Sequence, residues 1–436
     1  MAESRNILIV GSGGREHALG WKILESPHAK KLFFAPGNGG TLENVGISSS
    51  EIQKLLVFAK QNECFTIVGP EIPLAKGIVD SFNREGLDIL GPTKSAAMLE
   101  SSKIFAKKFM TKFNIPTAKF SSFSDPEQAK DYVLKQSNKL VVKADGLASG
   151  KGVMVCTNSA EAIDAIDKIM VKKEFGKSGN SIIIEDKLIG NECSFIALCD
   201  GETIIPMASS QDYKRLLEND EGPNTGGMGS LSPTPLIDKE LYKNIIELIM
   251  KPTVRGLNEG GIPFRGFLYA GIMIEENTKK PYVLEFNARM GDPECQPIML
   301  RLESDLLEYL VAAVKGELNT MPSFNWKNQF AVCIVMASRG YPSSYHKGNL
   351  IKGADQDFGS NIVLFHAATM RDRMNRLKAN GGRVLGVTAL GGTIKDAINN
   401  AYDVVKRISW GTDHMFYRAD IARKFAHVDK EALSFL

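Results

Sequence analysis

The stretch Val141-Val142-Lys143-Ala144-Asp145-Gly146-Leu147-Ala148-Ser149-Gly150-Lys151-Gly152-Val153-Met154-Val155 places a glycine-rich loop between two apolar runs of strand type. One interpretation is a solvated β-hairpin whose glycines only permit tight turning. Lys143, however, lies inside an apolar run, where a cation usually needs a partner. A glycine loop beside a lysine can surround phosphates with backbone N–H groups. It is not a Walker A loop, because Gly152 stands where that motif needs a hydroxyl. The stretch favours a phosphate site over a bare hairpin.

Length and composition describe an ordinary globular protein of several domains. The 436 residues predict roughly two to four domains. A net charge of +3 with dispersed lysines argues against a dedicated nucleic-acid binder. The six cysteines form no Cys-x-x-Cys pair, which is typical of reduced thiols in the cytosol. With no signal-like segment and no apolar run of ~18 residues, we expect a cytoplasmic protein with no membrane or nucleic-acid partner.

The N-terminal segment predicts a strand, a glycine turn and a helix. Asn6–Val10 is apolar and leads into Gly11-Ser12-Gly13-Gly14-Arg15, where a helix N-terminus would favour an anion. A dinucleotide fingerprint would have glycine where this chain has Glu16, and an acidic residue after the strand Lys31–Ala35, which is absent. A small phosphate, with Arg15 as a charge-assisted donor, therefore fits better than a nicotinamide cofactor. A glycine turn needed only for packing remains the alternative.

Two further strands in this segment also end in glycine turns. Phe65–Val68 is followed by Gly69-Pro70-Glu71, and Leu87–Leu90 by Gly91-Pro92. Strands alternating with helices predict a doubly wound parallel sheet that ends near residue 100. The turns at the carboxyl ends of its strands should converge on one crevice.

Acidic residues in the next segment suggest nucleotide contacts. A helix with an N-terminal serine cap is predicted over Ser101–Met110. Glu185 ends the apolar strand Ser181–Asp186, and Glu192 begins another strand. Either carboxylate could accept a hydrogen bond from an adenine amino group or a ribose hydroxyl, or could be a polar strand end.

A run of about twenty polar residues follows, from Ser209 to Ser230, and it contains Gly222-Pro223-Asn224-Thr225-Gly226-Gly227-Met228-Gly229. Such a run is either a disordered linker or a functional loop. Its concentration of side chains that can bind charge favours the functional loop.

The strand Tyr282–Arg289 predicts a metal-binding face. Side chains alternate along a strand, so Glu285, Asn287 and Arg289 should share one face. Hard oxygen ligands with open positions for phosphate suit Mg²⁺ in a nucleotide site. Exposed polar residues on an edge strand are the alternative.

The remaining pattern predicts one long helix and a last domain. The helix covers about 297–314. The strands Phe330–Met336, Ile362–His366 and Val384–Leu390, with a helix from Ile394 to Ile408, predict a small α+β domain. His366 is interpreted as a hydrogen-bonded structural histidine, because its spacing from His414 does not suit a metal site.

Taken together, these motifs resemble one enzyme family. The motifs are Gly11–Leu19, Ala35–Asn38, Val68–Glu71, Lys143–Gly152, Gly222–Gly229 and Glu285-Phe286-Asn287-Ala288-Arg289-Met290-Gly291-Asp292-Pro293-Glu294. They resemble the glycinamide ribonucleotide synthetases of the ATP-grasp superfamily, from near residue 5 to near residue 425. The resemblance implies a phosphoribosylamine-binding α/β domain over 1–103 and an ATP-grasp domain of two α+β subdomains over 104–325. It places the lid at about 120–195 and a small α+β domain over 326–436.

The resemblance also implies a reaction and a site. ATP would activate glycine as an acyl phosphate, and the amine of 5-phosphoribosylamine would attack it, giving glycinamide ribonucleotide in the second step of de novo purine synthesis. The implied cofactors are ATP and Mg²⁺ or Mn²⁺, the latter held by Glu285 and Asn287. The implied enzyme is a monomer with transient contacts to neighbouring purine-pathway enzymes.

The remaining residues are carried over motif by motif. The implied catalytic residues are Lys143, Asp212 and Arg289. The implied ATP-binding residues are Lys103, Lys143, Gly146, Ser149, Gly150, Lys151, Gly152, Glu185, Lys187, Leu188 and Glu192. The implied substrate-binding residues are Gly11, Gly13, Gly14, Arg15, Glu16, Pro36, Gly37, Asn38, Pro70, Glu71, Asp212, Thr225, Gly226, Gly227, Met228, Arg289, Gly291, Asp292 and Pro293.

The chain departs from the family pattern at three places. Ile272-Met273-Ile274 lacks the metal-binding acid that many ATP-grasp enzymes carry there, and Ala368 and Ala422 replace glycines. Three rival interpretations are another ATP-grasp ligase such as a biotin carboxylase or a D-alanine–D-alanine ligase, a non-catalytic nucleotide sensor, and an NAD-dependent dehydrogenase. The N-terminal phosphate loops argue against the other ligases, and the combined metal and acyl-phosphate ligands argue against a sensor.

Overall fold

The computed structural model describes residues 4–148 and 151–428, so the predicted ATP contacts of Ser149 and Gly150 lie outside the described residues. Within those ranges, no helix combines the length and apolar character needed to cross a membrane.

The N-terminal segment forms the predicted doubly wound sheet. Its strands are Arg5–Gly11 (β1), Ala29–Pro36 (β2), Cys64–Val68 (β3) and Ile89–Leu90 (β4), all parallel in the order β2-β1-β3-β4. Its helices are Gly14–Ile23 (α1), Ile52–Gln61 (α2), Glu71–Ala75 (α3), Ile78–Arg84 (α4) and Met98–Ser101 (α5). Alternate residues of β1 pack on opposite faces: Ile7 and Ile9 with α1, Leu8 and Val10 with α2 and α4. The carboxyl ends of β1, β2 and β3 therefore meet at one edge.

The lid is an antiparallel sheet that follows the helix Lys103–Lys112 (α6). Its strands are Phe120–Phe123 (β5), Leu140–Ala144 (β6), Val153–Cys156 (β7) and Ile182–Asp186 (β8), in the order β5-β8-β6-β7. Its helices are Pro126–Leu134 (α7) and Ser159–Ile166 (α8), which cover one face. The predicted hairpin is the antiparallel pair β6–β7.

The segment predicted to be the second ATP-grasp subdomain forms an antiparallel sheet with longer strands. The strands from this part of the chain are Gly190–Asp200 (β9), Ile204–Pro206 (β10), Gln211–Asp212 (β11), Arg215–Leu217 (β12), Glu221–Asn224 (β13), Gly229–Ser232 (β14), Arg265–Glu275 (β15) and Pro281–Asn287 (β16). The sheet order is β10-β9-β15-β16. The helices are Lys239–Ile245 (α9), Lys251–Glu259 (α10), Cys295–Arg301 (α11) and Leu306–Lys315 (α12).

The single helix predicted over about 297–314 is wrong, because the chain forms α11 and α12 instead. Leu302 adopts an extended backbone, with φ −69° and ψ 127°. Asp305 then caps the second helix by accepting a hydrogen bond from the Leu307 N–H at 3.0 Å. Apolar spacing continues across the break, which is why periodicity alone does not detect it.

The sheet of the C-terminal segment also contains two strands, β11 and β14, from the preceding part of the chain. Its own elements are Phe330–Ser338 (β17), Ile362–His366 (β18), Thr369–Arg371 (β19), Leu377–Ala379 (β20), Arg383–Gly391 (β21), Ile394–Val405 (α13) and Met415–Phe416 (β22). The sheet order is β11-β14-β17-β21-β18, with β22 also paired to β17. Strands β11 and β14, which lie in the range predicted for the ATP-grasp domain, thus belong to this sheet, whereas β12 and β13 pair only with each other. The boundaries 1–103, 104–325 and 326–436 stay predictions.

The alanine at 422 keeps the backbone that a glycine would adopt. Ala422 has φ +61°, in the left-handed region. Within the described residues, Ala368 is not among the non-glycine residues with positive φ. Ala422 therefore holds a backbone conformation that is unfavourable for an L-residue, with its methyl group fully buried.

Candidate active site

The lid loop is tied to the amino end of α6. Asp145 Oδ1 accepts hydrogen bonds from Ser102 Oγ at 3.0 Å and from the Ile104 N–H at 3.1 Å. Lys103 Nζ donates to the Gly146 carbonyl at 2.9 Å. On the far side, Lys151 Nζ donates to the Pro342 carbonyl at 3.0 Å. Two predicted ATP ligands, Lys103 and Lys151, therefore contact backbone carbonyl groups in this structure.

Lys143 has the partner that its burial requires. It forms an ion pair with Glu185, and its Nζ also donates to the Leu284 carbonyl at 3.2 Å. The pairing of β6 with β8 places both side chains on one face of the lid, because Lys143 lies opposite Ile183 and Val141 opposite Glu185. Burial raises the pKa of Glu185, but Lys143 and Lys107 outweigh it and the net shift is downward.

Glu185 is thus an acid shared by two lysines. Lys107 Nζ lies 2.6 Å from Glu185 Oε2, and both side chains are almost fully buried. The adenine contact predicted for Glu185 stays a prediction. Lys187 and Leu188, two other predicted ATP-binding residues, follow β8 directly.

The predicted metal face is present and already surrounded by cations. Glu285 and Asn287 lie two residues apart on β16, so their side chains share one face of the strand. Lys214 pairs with Glu192 and lies 3.7 Å from Glu285 Oε1. Burial alone would raise the pKa of Glu285. The charges of Lys214, Lys143 and Lys103 outweigh burial, so the pKa is lowered to about 2. Glu285 is therefore an ionised hard oxygen donor.

Arg289 sits between two acids from the N-terminal part of the chain. Its guanidinium lies 3.5 Å from Glu71 Oε2 and 3.1 Å from Glu100 Oε1, and it donates to Asn287 Oδ1 at 3.1 Å. Glu100 also accepts a hydrogen bond from the Ala288 N–H at 2.7 Å. Burial raises the pKa of Glu100. The predicted anion ligand Arg289 is thereby held beside the predicted metal ligand Asn287.

Glu16 fills the N-terminal glycine loop. Its carboxylate accepts a hydrogen bond from the Gly13 N–H at 2.5 Å and pairs with Arg15 Nε at 2.6 Å. A Cβ added at Gly11, where φ is +131°, would lie 2.6 Å from Glu16 Cδ, and Gly69 leaves still less room. Arg15 is buried and also donates to the Met290 carbonyl at 3.2 Å. The glycines here are required by a carboxylate of the protein itself.

Residues of all three segments meet at Asp292. The Arg15 N–H donates to Asp292 Oδ2 at 3.3 Å. From β21, Arg383 donates to the carbonyls of Gly226, at 2.5 Å, and of Asp292, at 2.6 Å. Burial raises the pKa of Asp292, but Arg383 and Arg15 outweigh it, so the net shift is downward.

The other predicted substrate residues line the same region. Asn38 donates to the carbonyls of Ser12 at 3.0 Å and of His366 at 2.9 Å, which joins the N-terminal loop to β18. Thr225 Oγ1 donates to the Lys214 carbonyl at 2.8 Å and accepts from the Gly227 N–H at 3.0 Å. The remaining residues occupy loops and element ends at these strand edges: Gly14, Pro36, Gly37, Pro70, Met228, Gly291 and Pro293.

Asp212 carries a buried carboxyl oxygen that has no hydrogen-bond partner among the residues that the structure describes. Burial and the neighbouring Glu294 raise the pKa of Asp212 well above its ordinary value, against the opposing charge of Lys214. Glu294 itself accepts from Ser194 Oγ at 2.9 Å. An amine is the kind of group that this unpartnered oxygen could bind.

Four residues of the site were missed from sequence: Glu100, Lys107, Lys214 and Arg383. A signal existed for Lys107, which lies one helical turn after Lys103 and therefore on the same face of α6. Lys214 lies two residues after Asp212, whereas Glu100 and Arg383 carry no local signal. The histidine interpretation agrees with the structure, since His366 Nδ1 lies 3.1 Å from Thr369 Oγ1.

Comparison with known families matches all three segments. The phosphoribosylglycinamide synthetase N domain matches residues 5–100, its ATP-grasp (A) domain residues 101–295, and its C domain residues 331–424. This chain belongs to the phosphoribosylglycinamide synthetase family. The predicted fold, with its parallel N-terminal sheet, ATP-grasp centre and C-terminal domain, is confirmed.

Individual relatives agree with this assignment to the phosphoribosylglycinamide synthetases. The phosphoribosylamine–glycine ligase of Vibrio vulnificus (strain YJ016) is 47% identical over 422 residues, which cover 95% of this chain and 97% of the relative. The crystal structure of the Thermotoga maritima ligase has a TM-score of 0.84 and 34% identity, covering 96% of this chain and 100% of that one. Campylobacter jejuni biotin carboxylase, at 16% identity and a TM-score of 0.70 over 95% and 93% of the chains, shares the fold alone.

Proposed function

We propose that the chain joins glycine to 5-phosphoribosylamine at the expense of ATP, giving glycinamide ribonucleotide, ADP and phosphate through glycyl phosphate. Phosphoribosylamine–glycine ligation is the activity of this family. The observation that carries the proposal is the meeting of three glycine-containing loops at Asp292, where the Arg15 N–H donates to the side chain and Arg383 to the carbonyl. Arg15 and Arg289 both donate to the Met290 carbonyl, which joins this junction to the Glu285 face, so one site could hold both a sugar phosphate and a nucleotide.

The chemistry needs cations because it builds negative charge on oxygens twice. Glycine's carboxylate attacks the terminal phosphorus of ATP, and the amine then attacks the carbonyl carbon and expels phosphate. Lys103 and Lys143 would hold the ATP phosphates, and Arg289 the carboxylate or acyl phosphate. Each now pairs with a protein carboxylate or carbonyl. An anionic ligand would replace those partners, so the site exchanges contacts rather than exposing unpaired charge.

Asp212 and the 225–228 loop would position the two nitrogen-containing substrates. The unpartnered oxygen of Asp212 is an acceptor for glycine's ammonium or for the incoming amine. The Gly11–Gly14 loop, Asn38 and Glu71 would border the phosphoribosyl group. Since Arg15 is paired with Glu16, its part would be to hold the loop and its N–H groups in place.

ATP-grasp domains use ATP with a divalent cation, and the residues present fit one. Glu285 is ionised, and it shares a strand face with Asn287, so both offer hard oxygen donors. Phosphate oxygens of ATP would complete the coordination at Glu285 and Asn287. When bound, Mg²⁺ or Mn²⁺ would neutralise charge on the transferring phosphoryl group.

We also propose that the enzyme acts in the cytoplasm as a monomer, with transient contacts to neighbouring purine-pathway enzymes. Its cysteines are all free and buried, which suits a reducing compartment. Its substrates would be small molecules, without nucleic-acid or membrane partners.

ADP release tests the proposed reaction. 5-Phosphoribosylamine can be made in the assay from ribose 5-phosphate and ammonia. We expect ADP only when ATP, glycine and the amine are all present. ADP release that does not require both glycine and the amine would contradict the proposal, and release driven by bicarbonate would instead favour the carboxylase chemistry of the same fold.

A further inference from the structure

Lys107 is a buried charge on α6 with no role among the ATP-binding residues assigned above. Its side chain is 2% exposed, and its Nζ lies 2.6 Å from Glu185 Oε2. It also donates to Thr117 Oγ1 at 2.6 Å, and Thr117 in turn donates to the Val283 carbonyl at 2.7 Å. Lys107 therefore contacts the lid through Glu185 and, through Thr117, the strand that carries Glu285.

The position of Lys107 relative to Lys143 is the informative feature. Both ammonium groups pair with one carboxylate, that of Glu185, one to each oxygen. Phe120, which lies directly opposite Glu185 on β5, places its ring 5.9 Å from Lys107 Nζ. This apolar wall and the burial of all three charges keep water from replacing a lost partner.

Two lysines on one acid leave a surplus positive charge, and the proposed function requires one of them to move. If Lys143 binds an ATP phosphate, it must release Glu185, and an unpaired carboxylate buried there would be costly. We propose that Lys107 is a positioning residue that keeps Glu185 neutralised, so that Lys143 can turn from Glu185 to the ATP phosphates. The inference rests on the proposed ATP role of Lys143.

The proposal predicts a specific defect in Lys107→Met. Glu185 would then have Lys143 as its remaining cation and would hold it against the phosphate. We expect the KM for ATP and the Kd for ADP to rise about tenfold or more, with the KM for glycine unchanged. Lys108→Met is the matched control, since Lys108 is the exposed neighbour on the same helix, and should leave all three constants as in the wild type.

A double-mutant cycle separates this role from packing. In Glu185→Gln the acid is absent, so adding Lys107→Met should change the KM for ATP by no more than about threefold. Any contribution of Glu185 to adenine binding cancels, because both members of this comparison lack the acid. The comparison of Glu185→Gln with the double variant can still be made if Lys107→Met alone does not fold. The double variant should fold, because it lacks the Glu185 carboxylate that Lys107 would otherwise neutralise.

Three results would overturn the positioning role. They are a folded Lys107→Met with wild-type ATP and ADP constants, an equal loss in both Glu185 backgrounds, or a double variant that cannot fold. Lys143→Met distinguishes failure of the underlying function, because wild-type ADP affinity in that variant would remove Lys143 from the phosphate site whatever Lys107 does.

Discussion

The N-terminal loop at Gly11–Gly14 and the lid loop at Asp145–Gly152 have similar glycine content but different surroundings. The first encloses the carboxylate of Glu16, which is 2% exposed and bonded to Gly13 and Arg15. The described part of the second receives the Ser178 side chain, whose Oγ donates to the Leu147 carbonyl at 3.1 Å, and is held at its base by Asp145 and Lys103. Glycine is needed in the first loop to make room for a charged acid. In the second, a Cβ at Gly146 would meet the neutral hydroxyl of Ser178 at 2.6 Å, and the loop's lysines pair with backbone carbonyl groups.

The comparison shows that a glycine loop after a strand does not by itself identify an anion site. In the N-terminal loop, a protein carboxylate uses an N–H group that a phosphate could otherwise occupy. The lid lysines are instead paired with groups that a nucleotide could displace. Whether such a loop binds an anion therefore depends on the protein group that already contacts it.

The largest expected effect is on stability, from Gly11→Ala. The added Cβ would meet Glu16 Cδ at 2.6 Å, at a backbone φ of +131° that alanine rarely adopts. Overpacking and backbone strain together should lower the free energy of unfolding by about 3–5 kcal/mol, measured by chemical denaturation. Gly46→Ala is the control, because no atom lies within 4 Å of its added Cβ. Equal stability of the two variants would mean that Glu16 does not fill the loop.

Glu285→Gln should lower turnover without lowering the melting temperature. The variant keeps the shape of the side chain but loses the charge that holds a metal, so we expect turnover to fall by at least about 100-fold. Its melting temperature should stay within a few degrees of the wild type, unlike that of Gly11→Ala. A large loss of melting temperature with residual turnover would instead assign Glu285 a structural role.

Acid should weaken the contact between α1 and β18. Burial, with His366 nearby, lowers the pKa of His17 to about 3, and its Nδ1 accepts from the His366 N–H at 2.9 Å. The unfolded chain binds a proton below pH ~6.5 that the folded chain excludes, so stability is present above that pH and is lost as pH falls towards 3.

From pH 6.5 to 5, this histidine should cost about 2 kcal/mol of unfolding free energy. Denaturation of His17→Asn across the same range should show a loss smaller by about that amount. Parallel curves for the variant and the wild type would mean that His17 titrates in the folded state as it does in the unfolded chain.

The smallest expected effect on stability is at Lys151 in the lid. Its hydrogen bond to the Pro342 carbonyl is exposed, so Lys151→Met should change the free energy of unfolding by less than about 0.5 kcal/mol. We expect the KM for ATP to rise severalfold, because an ATP phosphate could replace the carbonyl that Lys151 now contacts. An unchanged KM would remove Lys151 from the ATP-binding residues.

Local patterns in the sequence predicted most of the fold, because strands, turns and the hairpin depend on neighbouring residues. Alternation placed Glu285 and Asn287 on one face, and the apolar surroundings of Lys143 predicted that it has a partner. The partner itself could not be predicted, since Glu185 pairs with two lysines from two different elements. Arg383 reaches Asp292 across 91 residues, and nothing near either residue signals that contact.

Glu16 is a second residue whose contacts could not be predicted from the local sequence. Its replacement of the third fingerprint glycine argues against a dinucleotide site. The local pattern does not reveal that its carboxylate turns back into the loop, because that depends on Gly69, at the end of another strand. Likewise, β14 joins the C-terminal sheet by pairing with β17, about a hundred residues away, and β11 joins it by pairing with β14.

Isotope transfer from glycine tests the central claim most directly. If ATP phosphorylates glycine's carboxylate, the phosphate later expelled by the amine keeps one carboxylate oxygen. With glycine labelled with oxygen-18 in both carboxylate positions, mass spectrometry should find one labelled oxygen in each inorganic phosphate formed, and only when 5-phosphoribosylamine is present. Phosphate without the label, formed at the same rate as glycinamide ribonucleotide, would contradict the account.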